Sequence, residues 1–215
     1  MQVVVLASAK GGSSKTTLAA HLGVAAELDG AGPVALCDLD PQGSLSAWWN
    51  TREAETPAFS PATIAELPAR LAALAEAGFP LVILDTPPAM TPAIRAVVEC
   101  ASFVLIPVRP SPHDLRSVGA TVAIVRETKR PFAFAVTQAK PNAGLTPQAV
   151  AALSEHGRVA PSLMNDRVSY AASMIDGRTV LETDARGPGA TEMKALWQFV
   201  KARLNEITKD GKDAK

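Results

Sequence analysis

The chain has 215 residues, 47% of them hydrophobic and 20% charged, the size and composition of one compact globular domain. Lys plus Arg and Asp plus Glu both number 21, so net charge announces no nucleic-acid partner and any basic surface must be local. No apolar run approaches the roughly 18 residues of a membrane span, and the first residues lack the charged start of a signal peptide. Two cysteines, Cys37 and Cys100, form no C-x-x-C pair, so buried thiols in a reducing cytosol and a cytoplasmic protein are expected.

Short apolar runs at 3–6, 34–37, 81–84, 103–108, 132–136 and, more weakly, 159–163 alternate with helical patterns. Runs without polar alternation predict strands buried on both faces. The fold class is therefore α/β: a single doubly wound domain over 1–208, with a mostly parallel sheet covered by helices on both faces, and a polar tail at 209–215. Ligands of such a sheet bind at the carboxyl ends of its strands.

The first run leads into residues 8–17, Ser-Ala-Lys-Gly-Gly-Ser-Ser-Lys-Thr-Thr, ahead of a helix predicted over 16–28. A strand, a turn of small residues and a helix start gather backbone N–H groups where the helix dipole favours an anion. Lys15 would reach the terminal phosphates of a nucleotide, and the Thr16 hydroxyl would hold a magnesium ion. A surface turn rich in Gly, Ser and Lys is the plain alternative, and it leaves the agreement of motif, strand and helix unexplained. The general pattern G-x-x-x-x-G-K-[ST] would place glycines at 9 and 14, where this chain has Ala9 and Ser14. A side chain at 14 restricts φ and crowds a phosphate. Nucleotide binding is expected to survive; the hydrolysis rate is where these substitutions bear.

Lys10-Gly11-Gly12-x-x-Lys15-Thr16-Thr17 resembles the deviant Walker A motif of the ParA/MinD family of dimerising ATPases. The resemblance implies that Lys10 reaches across a dimer to the partner subunit's nucleotide. It also implies that Gly11, Gly12, Ser13, Ser14, Lys15, Thr16 and Thr17 surround the chain's own nucleotide.

Next comes Asp38-Leu39-Asp40-Pro41-Gln42, whose carboxylates, two apart on an extended segment, point to one side. An Asp-rich turn would explain the stretch in isolation. Its similarity to the family's switch I implies that Asp40 orients or activates the attacking water and joins Asp38 near the metal, with Lys10 and Lys15 completing the catalytic set. Trp48 and Trp49 cannot both face one core, so one is expected at an interface or against the next segment, with packing favoured over recognition. Residues 52–62 read as a loop and 63–77 as a helix. The run at 81–84 ends in Asp85, a Walker B arrangement in which Asp85 would hold magnesium through water; a helix cap is the alternative. Thr86-Pro87-Pro88 resembles the family's switch II.

Residues 106–114, with Pro107, Pro110 and Asp114, are similar to a ParA segment that lines the dimer face near the nucleotide, and Asp114 as the N-cap of a following helix fits equally well. His113 reads as a surface residue. Gln138, just past the fifth run, falls where the family contacts the base. A helix is predicted over 145–154, with Pro147 in its first turn. The segment from Asn165 looks like the corresponding ParA segment, in which arginines and basic side chains of the last helices meet DNA phosphates without sequence preference. Arg167, Arg178, Arg186, Lys194, Lys201 and Arg203 are the candidates, and a solvated helix face explains the last three as well. The last helix, predicted over 190–207, carries Met193, Leu196, Trp197, Val200, Leu204 and Ile207 on one face, and the polar tail beyond it does not read as a membrane anchor.

The resemblance thus implies an ATP- and magnesium-dependent ATPase that forms a homodimer with ATP and binds nonspecific double-stranded DNA of the nucleoid. A ParB-like or other partner protein would stimulate hydrolysis and release it. A MinD-like membrane switch is the alternative, against which the polar tail argues. An ATPase related to nitrogenase iron protein is a more distant one, because Cys37 and Cys100 lie on separate segments.

Overall fold

The structure is a computed structural model that describes residues 1–89, 91–141 and 144–213, the last three by backbone alone. Its elements run β1 (Gln2–Leu6), α1 (Lys15–Leu28), β2 (Val34–Asp38), α2 (Ser44–Asn50), β3 (Ala58–Phe59), α3 (Leu67–Glu76), β4 (Leu81–Asp85), α4 (Pro92–Glu99), β5 (Phe103–Val108) and α5 (Pro112–Glu127). Then come β6 (Phe132–Val136), α6 (Leu145–Ser154), β7 (Arg158–Val159), α7 (Val168–Ser173), α8 (Val180–Thr183) and α9 (Pro188–Asp213).

The strands form one parallel sheet in the order β3-β2-β4-β1-β5-β6-β7. Both faces are buried, which is why the strand sequences show no polar alternation. Val4, Leu6 and Leu36 face a layer built by α1 and α9, with Leu18, Leu22, Met193, Leu196 and Trp197. Val3, Val5 and Val82 face the other layer, with Leu71 and Leu74 of α3, Ile94 and Val98 of α4, and Val118 and Val122 of α5. Register then sets the functional edge: Leu6 and Asp38 each lie opposite Asp85, so three strands end at one level.

The structure moves several boundaries. β3 lies inside the stretch read as a loop and pairs with β2 through Ala58 and Phe59. α3 starts at Leu67 because Thr63 and Glu66 close a turn before it, the Thr63 hydroxyl donating to Glu66 over 2.8 Å. β7 ends at Val159, well short of 163. α4, which the sequence patterns did not show, is eight residues long and is capped by Thr91, whose hydroxyl accepts from the Ile94 N–H. α9 continues through Asp213, so most of the expected tail is helix and residues 214–215 lie outside the described ones. Trp48 is buried, while Trp49 stacks on Phe59 with ring centroids 5.5 Å apart, so the second indole does pack on the next segment. Cys37 lies fully buried in β2, and burial pushes its thiol up to about 12. Such a thiol disfavours the thiolate that a metal cluster requires.

His21 was not singled out in the sequence. It is fully buried on α1, with Nδ1 2.8 Å from the Thr17 carbonyl and Nε2 accepting from the Val180 N–H at 3.2 Å. A carbonyl can only accept and an N–H can only donate, so these two partners assign the neutral tautomer with its proton on Nδ1. Burial lowers its pKa to about 4, against smaller opposing contributions from Thr17 and Glu182.

Candidate functional site

The loop between β1 and α1 turns through two left-handed residues, Gly12 at φ +72° and Ser14 at φ 70°. Gly12 suits its position, since without a Cβ it adopts the left-handed conformation at no steric cost. Ser14 holds a conformation that disfavours a side chain, as its departure from glycine foretold. Side chains from other elements brace the loop. The Thr121 hydroxyl of α5 accepts from Ala9 N–H, the Thr137 hydroxyl donates to the Ser13 carbonyl at 3.2 Å, and Gln138 Nε2 donates to the Gly12 carbonyl at 2.8 Å.

Gly11, Gly12, Ser13, Ser14, Lys15, Thr16 and Thr17 line an open cleft of about 680 Å³, joined by Asp40, Gln42, Trp48, Pro88 and Gln138. Met174 and Ile175 close it from the segment after α7. Sequence reasoning missed this apolar wall, because nothing local marks residues whose role is to meet a distant loop. Lys15 Nζ donates to the Lys10 carbonyl at 3.3 Å. Burial lowers the Lys15 pKa, while Asp85 and Asp40 act in the opposite sense. A cation held by one carbonyl at the start of a helix can exchange that contact for an anion.

Thr16 and Asp85, expected to share a metal, are brought together: the Thr16 hydroxyl donates to Asp85 Oδ2 at 2.5 Å. Asp85 is buried, and its Oδ1 has no hydrogen-bond partner. Burial raises its pKa to about 7; the Thr16 hydrogen bond opposes this, Asp38 adds to it, Lys15 opposes it and Asp40 adds to it. An orphaned carboxylate oxygen beside a hydroxyl of the cleft wall fits a hard cation. Among the described residues no group of three or more His, Cys, Asp or Glu forms a metal cage. The remaining ligands would therefore be water and phosphate oxygens, the shell that magnesium prefers.

Asp38 and Asp40 divide. Asp40 lines the cleft and accepts from the Gln42 N–H at 3.0 Å. Asp38 accepts from the N–H groups of Asp40 and Ser46 at 3.0 and 2.9 Å, so its carboxylate anchors the first turn of α2. The proline-rich stretch also separates from the cleft. Pro107 is buried within β5, whereas Pro110 and Asp114 line a second cavity of about 490 Å³, together with Lys10, Arg109 and Gln138. Asp114 is not the helix cap. Ser111 is, accepting from the Asp114 N–H at 3.2 Å, and Asp114 sits in the first turn clasped by two of the Arg109 guanidinium nitrogens, Nε and Nη2, at 3.1 and 3.0 Å. Burial acts to raise the Asp114 pKa, and its bonds to Arg109 and Ser111 outweigh that and lower it.

The six cations expected to meet DNA are mostly engaged within the chain. Arg167 pairs with Glu192 at 2.7 Å, Arg178 with Asp176 at 2.6 Å, Lys201 with Asp29 at 2.7 Å, and Arg203 with Glu206. Lys194 donates to the Ala185 carbonyl at 2.7 Å, and Arg186 is exposed. Arg186 and Lys194 are the two of the six that meet no carboxylate among the described residues. A further groove gathers Lys129, Arg130 and Arg158, which the sequence reading did not name, with Arg203, Glu206 and Asp210, near the starts of β6 and β7 at the opposite end of the sheet from the loop.

A parallel sheet with a glycine-rich loop at its carboxyl edge, a lysine and threonine opening the next helix, and a buried aspartate on the neighbouring strand define a P-loop nucleotide-binding domain. Residues 4–180 match the CobQ/CobB/MinD/ParA nucleotide binding domain family, and the chain belongs to it as a ParA/MinD-type ATPase. It is 33% identical over 209 residues to maintenance of carboxysome distribution protein A of Gloeobacter kilaueensis, covering 95% of this chain and 94% of that protein. The protein of that name from Halothiobacillus neapolitanus is 30% identical over 201 residues, with coverage of 88% and 91%. The chromosome-partitioning ATPase Soj of Thermus thermophilus is 29% identical over 243 residues, with coverage of 94% and 96%. Among solved structures, apo McdA of Cyanothece shares the fold at a TM-score of 0.77, with 22% identity and coverage of 95% and 99%. MinD of Aquifex aeolicus shares it at 0.78, with 17% identity and coverage of 94% and 97%. No helix among the described residues is long and apolar enough to cross a membrane.

Proposed function

We propose that the chain is a positioning ATPase that dimerises around ATP, binds nonspecific nucleoid DNA in that state, and leaves it when a partner protein stimulates hydrolysis. The cargo is a DNA or protein body. Names of relatives that refer to carboxysome distribution favour a protein body in the cytoplasm. The observation that carries the dimer is the direction of Lys10. It lines the neighbouring cavity with Arg109 and Asp114 and is absent from the lining of the chain's own cleft. A loop lysine turned out of its own site is placed to serve a nucleotide held by a second copy.

Within the cleft, Lys15 and the loop N–H groups neutralise and orient the phosphates, and Asp40 orients the attacking water. Thr16 and Asp85 would hold magnesium, which supplies charge neutralisation at the transferred phosphoryl group. For DNA, Arg186 and Lys194 lead the contact set. Arg167, Arg178, Lys201 and Arg203 would have to exchange a carboxylate for a phosphate.

The test is binding to random-sequence duplex DNA with ATP, with ADP and with neither, at two salt concentrations, with anionic liposomes in parallel. Binding that requires ATP and weakens steeply with salt is expected. Arg186→Glu with Lys194→Glu should weaken it at unchanged ATP affinity. Loss on replacing Lys129, Arg130 and Arg158 instead would move the DNA surface to the opposite end of the sheet. Liposome binding without DNA binding would overturn the proposal.

A further inference from the structure

Thr137 and Gln138 are consecutive, and they take the carbonyls of two consecutive loop residues, Ser13 and Gly12. In a planar trans peptide the C=O and the following N–H point in opposite directions. Each bond therefore turns one loop N–H, of Ser14 and of Ser13, away from β6. A carbonyl only accepts, so the contact with Gly12 assigns which end of the Gln138 carboxamide is nitrogen.

The same Nε2 also donates to the Ser14 hydroxyl at 2.9 Å. An oxygen that accepts from Gln138 keeps its own proton for another acceptor. Ser14 lies on the wall of the nucleotide cleft, and Gln138 borders both that cleft and the Lys10 cavity. Both residues have left-handed backbones, Ser14 at φ 70° and Gln138 at φ 50°, conformations that persist where surrounding contacts enforce them.

We propose that Gln138 is a positioning residue for the phosphate loop: its carboxamide fixes the Gly12–Ser13 peptide and holds Ser14 so that the Ser14 hydroxyl donates to a nucleotide phosphate oxygen. Ser14 and Gln138 then work as a pair at a position the general loop pattern gives to glycine. The inference rests on the ATPase reading above. It assigns Gln138 to the loop rather than to the base.

The experiment measures ATP and ADP affinity with a fluorescent nucleotide analogue, and kcat and KM, for Ser14→Ala, Gln138→Ala, Gln138→Met and the Ser14→Ala/Gln138→Ala double variant. Each single change should weaken ATP binding on the order of fivefold, the reach of one or two hydrogen bonds. The double variant should be little worse than either single one, because both remove the same contact. Gln138→Met keeps the bulk without the donor and should behave like Gln138→Ala, which separates donation from packing. Ser14→Gly relieves the left-handed backbone and should shrink the cost of Gln138→Ala. Additive losses, or wild-type affinity in Gln138→Met, would overturn the pairing. Wild-type protein that binds no ATP would defeat the ATPase reading instead, so the two failures are told apart.

Discussion

The loop edge and the C-terminal segment both carry many charges and treat them oppositely. At the loop, Lys15 has one carbonyl for a partner, Asp85 Oδ1 has none, and Lys10 faces an open cavity. From residue 165 onward most charges close on one another, Arg186 and Lys194 excepted. Glu192 takes Asn165, Arg167 and the Tyr170 hydroxyl, and Arg52, 3% exposed, grips Glu182 through both terminal nitrogens at 2.6 and 3.0 Å. Polar groups left without partners inside a fold cost stability and point to a ligand; polar groups that satisfy one another hold elements together. The difference separates cations that serve the site from cations that build the wall around it.

Arg52→Ala sharpens the contrast most. It removes the bonds to both Glu182 oxygens and to the Gly177 carbonyl, and because Glu182 is half-buried and keeps its bonds from Thr179 the cost should be about 3 kcal/mol, the low end for breaking a buried pair from one side. Urea unfolding should show that loss, with ATP affinity of the remaining folded protein unchanged. A fall in affinity without a fall in stability would erase the distinction between the two regions.

His21 joins the regions, since its ring links α1 to the start of α8. Its folded pKa, about 4, lies below the ordinary 6.5, so between those values the unfolded chain binds a proton that the folded chain refuses. The His21 contribution to stability is therefore full above pH 6.5 and is lost as pH drops toward 4, by about 3 kcal/mol at most. Asp85, with its pKa raised to about 7, acts in the opposite sense over the same window, so the wild type is measured against His21→Leu: as pH drops from 6.5 toward 4, the unfolding midpoint of the wild type should fall relative to that of the variant.

The smallest effect on stability, and the largest on binding, belongs to Lys15→Ala. ATP affinity should fall about 100-fold through loss of charge-assisted hydrogen bonds. The unfolding midpoint should not fall, because the wild-type ammonium is buried with a single carbonyl to receive its hydrogen bonds. A destabilised variant with normal ATP affinity would place Lys15 among the structural cations.

Local pattern made the nucleotide site legible. Residues 10–17 and Asp85 are each contiguous with a strand end, so an apolar run followed by the right side chain placed them at one edge before any contact was known. The same reading named Arg167 and Arg178 as candidate phosphate contacts; the carboxylate that Arg167 meets, Glu192, lies 25 residues on and left no local sign, whereas Asp176, which Arg178 meets, is two residues away. Asp114 was legible as part of a helix start, but which residue capped it depended on backbone angles, and Ser111 holds the extended conformation that a cap requires.

The sequence by itself determined the alternation of strand and helix, the parallel sheet and the phosphate loop, because periodicity and strand-end chemistry act over a few residues. Tertiary structure alone decided that Gln138 reaches back across 124 residues to Ser14, that His21 stays neutral against Val180, and that Arg167 and Lys201 meet the carboxylates of Glu192 and Asp29. Those outcomes depend on which side chains the chain's closure brings within about 3 Å, the range over which a hydrogen bond has strength.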